Sequence, residues 1–149
     1  MPRKVIDAGL VDELKIDKDA VVDREWITDY TKLAITTCRQ HGVEVVNIKM
    51  CPSRRKGIHF YIRITPAIKS ELANRLQFLL GDDCQRVDFN RARIEVGFKE
   101  WNKLFESARC RLQTIYRGTP SRRVSSLKRP FPSAGMRHEH KANRHRGEA

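Results

Sequence analysis

Ile58-His59-Phe60-Tyr61-Ile62-Arg63-Ile64 carries the clearest strand pattern in the chain. Apolar residues occupy positions 58, 60, 62 and 64, and His59, Tyr61 and Arg63 alternate with them. This is the period of two expected of a β-strand with one buried face. The apolar set has to meet a covering layer, so His59, Tyr61 and Arg63 are expected on the opposite, open face. Antiparallel sheets commonly leave one face wet, and a polar row fits plain solvation. A proton carrier, an aromatic ring and a guanidinium in series also suit phosphates and bases.

Working outward from this strand, Cys51-Pro52-Ser53-Arg54-Arg55-Lys56-Gly57 reads as a turn, and Val43–Met50 before it as a strand with Val46, Ile48 and Met50 on one face. Upstream, Tyr30, Leu33, Ala34, Thr37, Cys38 and His41 fall at helical spacing. Thr28 or Asp29 serves as N-cap and Gly42 as the stop, which predicts a helix over 29–41. Leu14–Asp19 and Ala20–Trp26 are extended candidates for the first strand. Downstream, Thr65-Pro66 offers a cap and a proline at the first helical position, predicting a helix over 66–80 with the stripe Ile68, Leu72, Leu76, Leu79 and the stop Gly81. A short helical turn at 83–92, a strand candidate at 93–98 and a last helix from Lys99 through Ile115 complete the reading.

The order is β-α-β-β-α-β plus one helix. The expected fold class is therefore α+β, a ferredoxin-like or RRM-like antiparallel sheet with its helices on one face. In that topology the first and third strands lie side by side at the centre. The expected division is an N-terminal segment over 1–19, an α+β domain over 20–117 and a disordered basic tail over 118–149.

Thirty Lys+Arg against eighteen Asp+Glu give a net charge of +12. Such a chain attracts polyanions, most strongly at low salt. The excess is uneven: from Arg111 to the end ten Lys/Arg face two acids, including Arg122 and Arg123. The same segment is rich in Pro, Gly and Ser and poor in large apolar residues after Tyr116, a composition that cannot offset its ordering entropy. No apolar run approaches the roughly 18 residues of a membrane span. The opening residues lack the apolar stretch of a signal peptide, so a cytoplasmic location is expected. The four cysteines are then expected reduced. Cys38-x-x-His41 and the tail histidines His138, His140 and His145 do not amount to four convergent zinc ligands.

Two local patterns carry chemistry. Ser53-Arg54-Arg55-Lys56-Gly57 sets three cations on a tight turn beside His59, a candidate phosphate cradle, although a solvated hairpin tip has the same composition. Carboxylates one residue apart on a strand share a face. Asp23-Arg24-Glu25 and Asp17-Lys18-Asp19 both have this spacing, which can hold Mg²⁺ against nucleotide phosphates but is also common on surfaces. Lys56-Gly57-Ile58-His59-Phe60 echoes the first RNA-binding motif of the RRM. That register would turn Ile58, Phe60 and Ile62 outward, and the RRM reading is rejected for that reason.

Taken in sequence, an acidic pair, a helix, a strand, Ser53-x-x-Lys56-Gly57-x-His59 and a strand resemble the archaeo-eukaryotic primase superfamily. The likeness implies that Gly57-Ile58-His59 matches its small-residue–x–His motif, and that Asp23 and Glu25 match its acidic motif, with Asp17 and Asp19 as the alternative. Asp88, within Val87-Asp88-Phe89-Asn90-x-x-Arg93, would be the later acid. The chain is also similar to short proteins of archaea and their viruses and mobile elements that carry S-x-S-G-x-G-x-H and then L-x-x-L-L-G-D-D-x-x-R; here Leu76 to Arg86 has that form, followed by Asn90 and Arg93. The resemblance covers about residues 20–105. Arg54 and Arg55 replace the usual glycines of the His loop and narrow the approach of a triphosphate.

These features imply a nucleic-acid-binding protein with a primase-like core, accessory to replication and non-catalytic. It would bind DNA or RNA through Ser53, Arg54, Arg55, Lys56, His59, Tyr61, Arg63, Arg86, Arg93, Arg122 and Arg123, with replication proteins as further partners and no membrane. The alternatives are a minimal nucleotidyltransferase using Asp23, Glu25, His59 and Asp88 with Mg²⁺ or Mn²⁺, and a basic module for protein or ribonucleoprotein assembly.

Overall fold

The computed structural model describes residues 9–20, 22–52, 57–104 and 110–118. Its elements are β1 (Leu10–Lys18), α1 (Arg24–Gln40), β2 (Glu44–Pro52), β3 (Ile58–Lys69), α2 (Ser70–Leu79), α3 (Cys84–Glu95) and β4 (Gln113–Arg117). The four strands form one antiparallel sheet in the order β1-β3-β2-β4. An α+β fold with an antiparallel sheet is as expected from the strand and helix periods. The first three strands also keep the split β-α-β arrangement, with β3 between β1 and β2. The fourth strand departs from it, because β4 pairs with β2 rather than with β1. β1 is therefore an edge strand, not a central one.

The apolar alternation on β3 drives the core. Ile58, Phe60, Ile62 and Ile64 are buried in one cluster with Leu14 and Ile16 of β1, Tyr30, Ala34 and Cys38 of α1, and Ala73, Leu76 and Leu80 at α2. Both helices thus lie on one face. Trp26, Tyr30 and Phe60 stack on one another, with centroids 4.5 to 6.0 Å apart. Trp101 closes the other end and donates from Nε1 to Ser70 Oγ at 3.0 Å.

Several boundaries differ from the sequence expectation. Helix α1 begins at Arg24, because the Asp23 carboxylate caps the Trp26 N–H at 2.8 Å. Ala20–Trp26 is thus no strand, and Asp23 and Glu25 lie at a helix start. Strand β3 runs on through Pro66 to Lys69. The β1–β3 pairing jumps from Glu13↔Arg63 to Val11↔Ile68, and Pro66 falls in that irregularity, where its missing N–H costs no ladder bond. A second irregularity on β2 turns Val45 inward and leaves Val46 outside, reversing the expected face for Val46. Asp83 caps α3 through the Arg86 N–H at 3.0 Å, and the helix continues for twelve residues. The expected strand at 93–98 is the end of α3 and a turn at Gly97, whose φ of +80° suits glycine. The expected last helix does not form where the chain is described: residues 101–104 are irregular, and Gln113–Arg117 is β4. Leu112 and Ile115 therefore belong to no helix, and Phe105 and Ala108 lie outside the described residues.

Candidate nucleic-acid cleft at the sheet edge

Beyond β3, the outer side of β1 offers free backbone groups that water or another strand would otherwise take. Side chains take them instead. The Lys15 N–H donates to Gln77 Oε1 at 3.0 Å, the Lys15 carbonyl accepts from Arg86 Nη1 at 2.9 Å, and the Asp17 N–H donates to Asp82 Oδ1 at 2.9 Å. Arg86 Nη1 also bonds the other oxygen of Asp82, and Nη2 donates to Asn102 Oδ1 at 2.7 Å. Gln77 and Asn102 exchange reciprocal amide bonds at 2.7 and 3.1 Å. This polar strip occupies the slot that a fourth strand beside β1 would need, which explains why β4 lies across the sheet.

The strip also positions His59. Asp17, His59 and Cys51 form one cross-strand row, and His59 Nε2 lies 3.4 Å from Asp17 Oδ1. Burial raises the Asp17 carboxyl above its usual range; the His59 imidazole acts in the opposite sense, and Asp19 raises it further. Asp82 is also raised, first by burial and against the pull of the Arg86 guanidinium. Cys51 and Cys110 stand with their Cα atoms 5.8 Å apart, a separation at which a disulfide can close. Cys38 and Cys84 are free. Cys38 is buried, which pushes its thiol up to about 11, and His41 Nδ1 is 2.8 Å from Thr37 O.

Around this row opens a cleft of about 290 Å³. Asp17 and His59 form its sheet side, Asp83, Gln85, Arg86, Phe89 and Arg93 its α3 side, and Lys103 and Leu104 close it. His59 was expected on an open face. It is instead 7% exposed, because α3 and residues 103–104 stand over that end of the sheet. Tyr61, in the next row between Lys15 and Lys49, is 5% exposed, so it too is buried. Arg63 alone of the three is exposed, beside Asp12 at 3.4 Å and Glu13 at 4.0 Å.

The cleft thus brings His59, Arg86 and Arg93 together, with Asp17 from the alternative acidic pair. It does not gather the other candidate metal ligands. Asp23 caps α1, Glu25 lies in the first turn of that helix, and exposed Asp88 faces Arg91 at 3.7 Å. Among the described residues no three His, Cys, Asp or Glu side chains group as a metal site, and this donor set does not fit a bound Mg²⁺ or Mn²⁺. Ser53, Arg54, Arg55, Lys56, Arg122 and Arg123 lie outside the described residues. The sequence reading missed Asp82, Gln77, Asn102, Phe89 and Lys103. The one local signal was the doubled acid after Gly81: one carboxylate caps α3, which leaves the second free to turn inward.

The fold and site define an α+β protein with a cleft at the edge of its sheet that is lined by Arg86, Arg93 and Lys103 together with Asp17 and Asp83. Comparison with protein-family models, with curated proteins and with solved structures gave no match. No helix among the described residues is long and apolar enough to cross a membrane.

Proposed function

We propose that this chain is a cytoplasmic nucleic-acid-binding protein with a primase-like core, accessory to replication in archaea or their mobile elements and without nucleotidyl transfer of its own. The observation that carries the reading is the convergence of Arg86, Arg93 and Lys103 with His59 on one cleft of a chain whose net charge is +12. Phosphate contacts from Lys and Arg supply most sequence-independent affinity for nucleic acid. The scatter of Asp23, Glu25 and Asp88 supports binding over two-metal chemistry, which needs carboxylates converging on one site.

The test is binding of labelled single- and double-stranded DNA and RNA by the full chain across salt concentrations. Affinity that falls linearly on a log–log plot, and that weakens when Arg86 and Arg93 are left intact but Lys103 is changed to Ala, is the expected result. No binding to any of the four at low salt would end the proposal.

A further inference from the structure

We infer that the cleft beside His59 receives one unpaired nucleotide of a bound strand, its base against Phe89 and its phosphate toward the cations; this rests on the nucleic-acid reading above. On α3, Val87, Asn90 and Ile94 are buried, and the Asn74 amide ties α2 to the helix through the Val87 carbonyl at 3.0 Å. Arg86, Phe89 and Arg93 therefore form a second stripe at i, i+3 and i+7, which lines the cleft. Phe89 remains 62% exposed in that stripe. A large aromatic ring kept in water contributes little to the core, but it offers a face for a base.

Charge and size agree with this occupant. Arg93, bonded to Asn90 Oδ1 at 3.3 Å, and Lys103, paired with Glu100 at 2.8 Å, bring positive charge to the rim opposite Asp17 and Asp83, while Arg86 is held by Asp82 and Asn102. The Nε of Arg86 is buried and has no hydrogen-bond partner among the described residues. The volume of about 290 Å³ is at the lower end of ligand clefts, roughly 300–1,000 Å³, so it suits one base with its phosphate. Cations alone would serve duplex and single strand alike. An aromatic face discriminates, because the bases of a duplex are already stacked and must be extruded to reach it.

The experiment compares the full-length protein with Phe89→Ala, Phe89→Trp and Phe98→Ala, the last an equally exposed aromatic outside the cleft. Anisotropy is measured with a labelled single-stranded oligothymidylate and with a duplex of equal length. Phe89→Ala should weaken single-strand binding about tenfold or more, leave duplex binding and the salt slope unchanged, and keep the melting temperature. Phe98→Ala should change neither. In Phe89→Trp the affinity should return, and the added indole fluorescence should be quenched by the single strand but not by the duplex. Equal loss on both substrates, no loss on either, or an unquenched indole would overturn the inference while leaving the binding function standing. A wild-type protein that binds neither substrate would overturn both.

Discussion

At the scale of single residues, Asp17 and His59 set the electrostatics of the cleft. The Asp17 carboxyl is raised mainly by burial, and the facing imidazole restrains that rise. Changing His59 to Ala removes the restraint, so the Asp17 pKa should move further up, as read by NMR titration of its carboxyl carbon. A downward move would mean that the two groups do not interact as their 3.4 Å separation implies. The effect on stability has a definite sign. A carboxyl whose folded pKa lies above its unfolded value binds more protons when folded, so its contribution is fully present below the unfolded value of 3.8 and is lost as pH rises through the folded value. Asp17→Asn should therefore flatten that decline in urea-unfolding free energy with rising pH. An unaltered pH profile would assign the decline to another group. Because His59 is buried, its truncation should also lower the melting temperature, which a wholly solvated residue would not do.

At the scale of elements, the edge of β1 is the feature most open to test. Asp82 and Arg86 hold three backbone groups of β1 between them and Gln77, and both side chains are largely buried. Removing one member leaves the other charged and unpaired. Asp82→Ala should cost roughly 3–5 kcal/mol in urea unfolding, and Arg86→Ala a comparable amount. The pair Asp82→Leu with Arg86→Met should cost less than the sum of the two single changes, because no orphaned charge remains. Additive losses would show that the ion pair is not what joins the two residues. The exposed β1 edge in the single variants should also self-associate, since unpaired strand groups template pairing with another chain.

At the scale of the whole molecule, the +12 charge is divided between residues 1–118 and residues 119–149. Residues 119–149 hold eight Lys/Arg and two acids. The Gly118 N–H donates to the Val46 carbonyl at 2.8 Å, so the cut that spares the sheet falls after residue 118. Deleting 119–149 should reduce the log–log salt slope of nucleic-acid binding by at least one phosphate contact, about 0.7–0.9, without lowering the melting temperature. An unchanged slope would place all the phosphate contacts on the sheet and its cleft. Retained affinity at low salt together with the flatter slope would assign strand capture to residues 1–118 and long-range attraction to residues 119–149.

The chain by itself determined which residues make the core. The alternation over Ile58–Ile64 and the helical spacing of Tyr30, Ala34 and Cys38 are periods of the backbone, legible without knowing any neighbour. Gly42 and Gly81 marked helix ends for the same local reason. Only the tertiary structure decided where the last strand goes and what becomes of His59. The alternation put His59 opposite the core correctly, but whether that face is open depends on α3 and on residues 103–104, more than twenty positions away. The side of the sheet left for β4 depends on Gln77, Asp82 and Arg86 meeting backbone groups of β1 that precede them by more than sixty residues. Hydrogen-bond matching across such separations leaves no periodic trace, because a single Asp or Gln reads the same whether it is solvated or satisfies a strand edge.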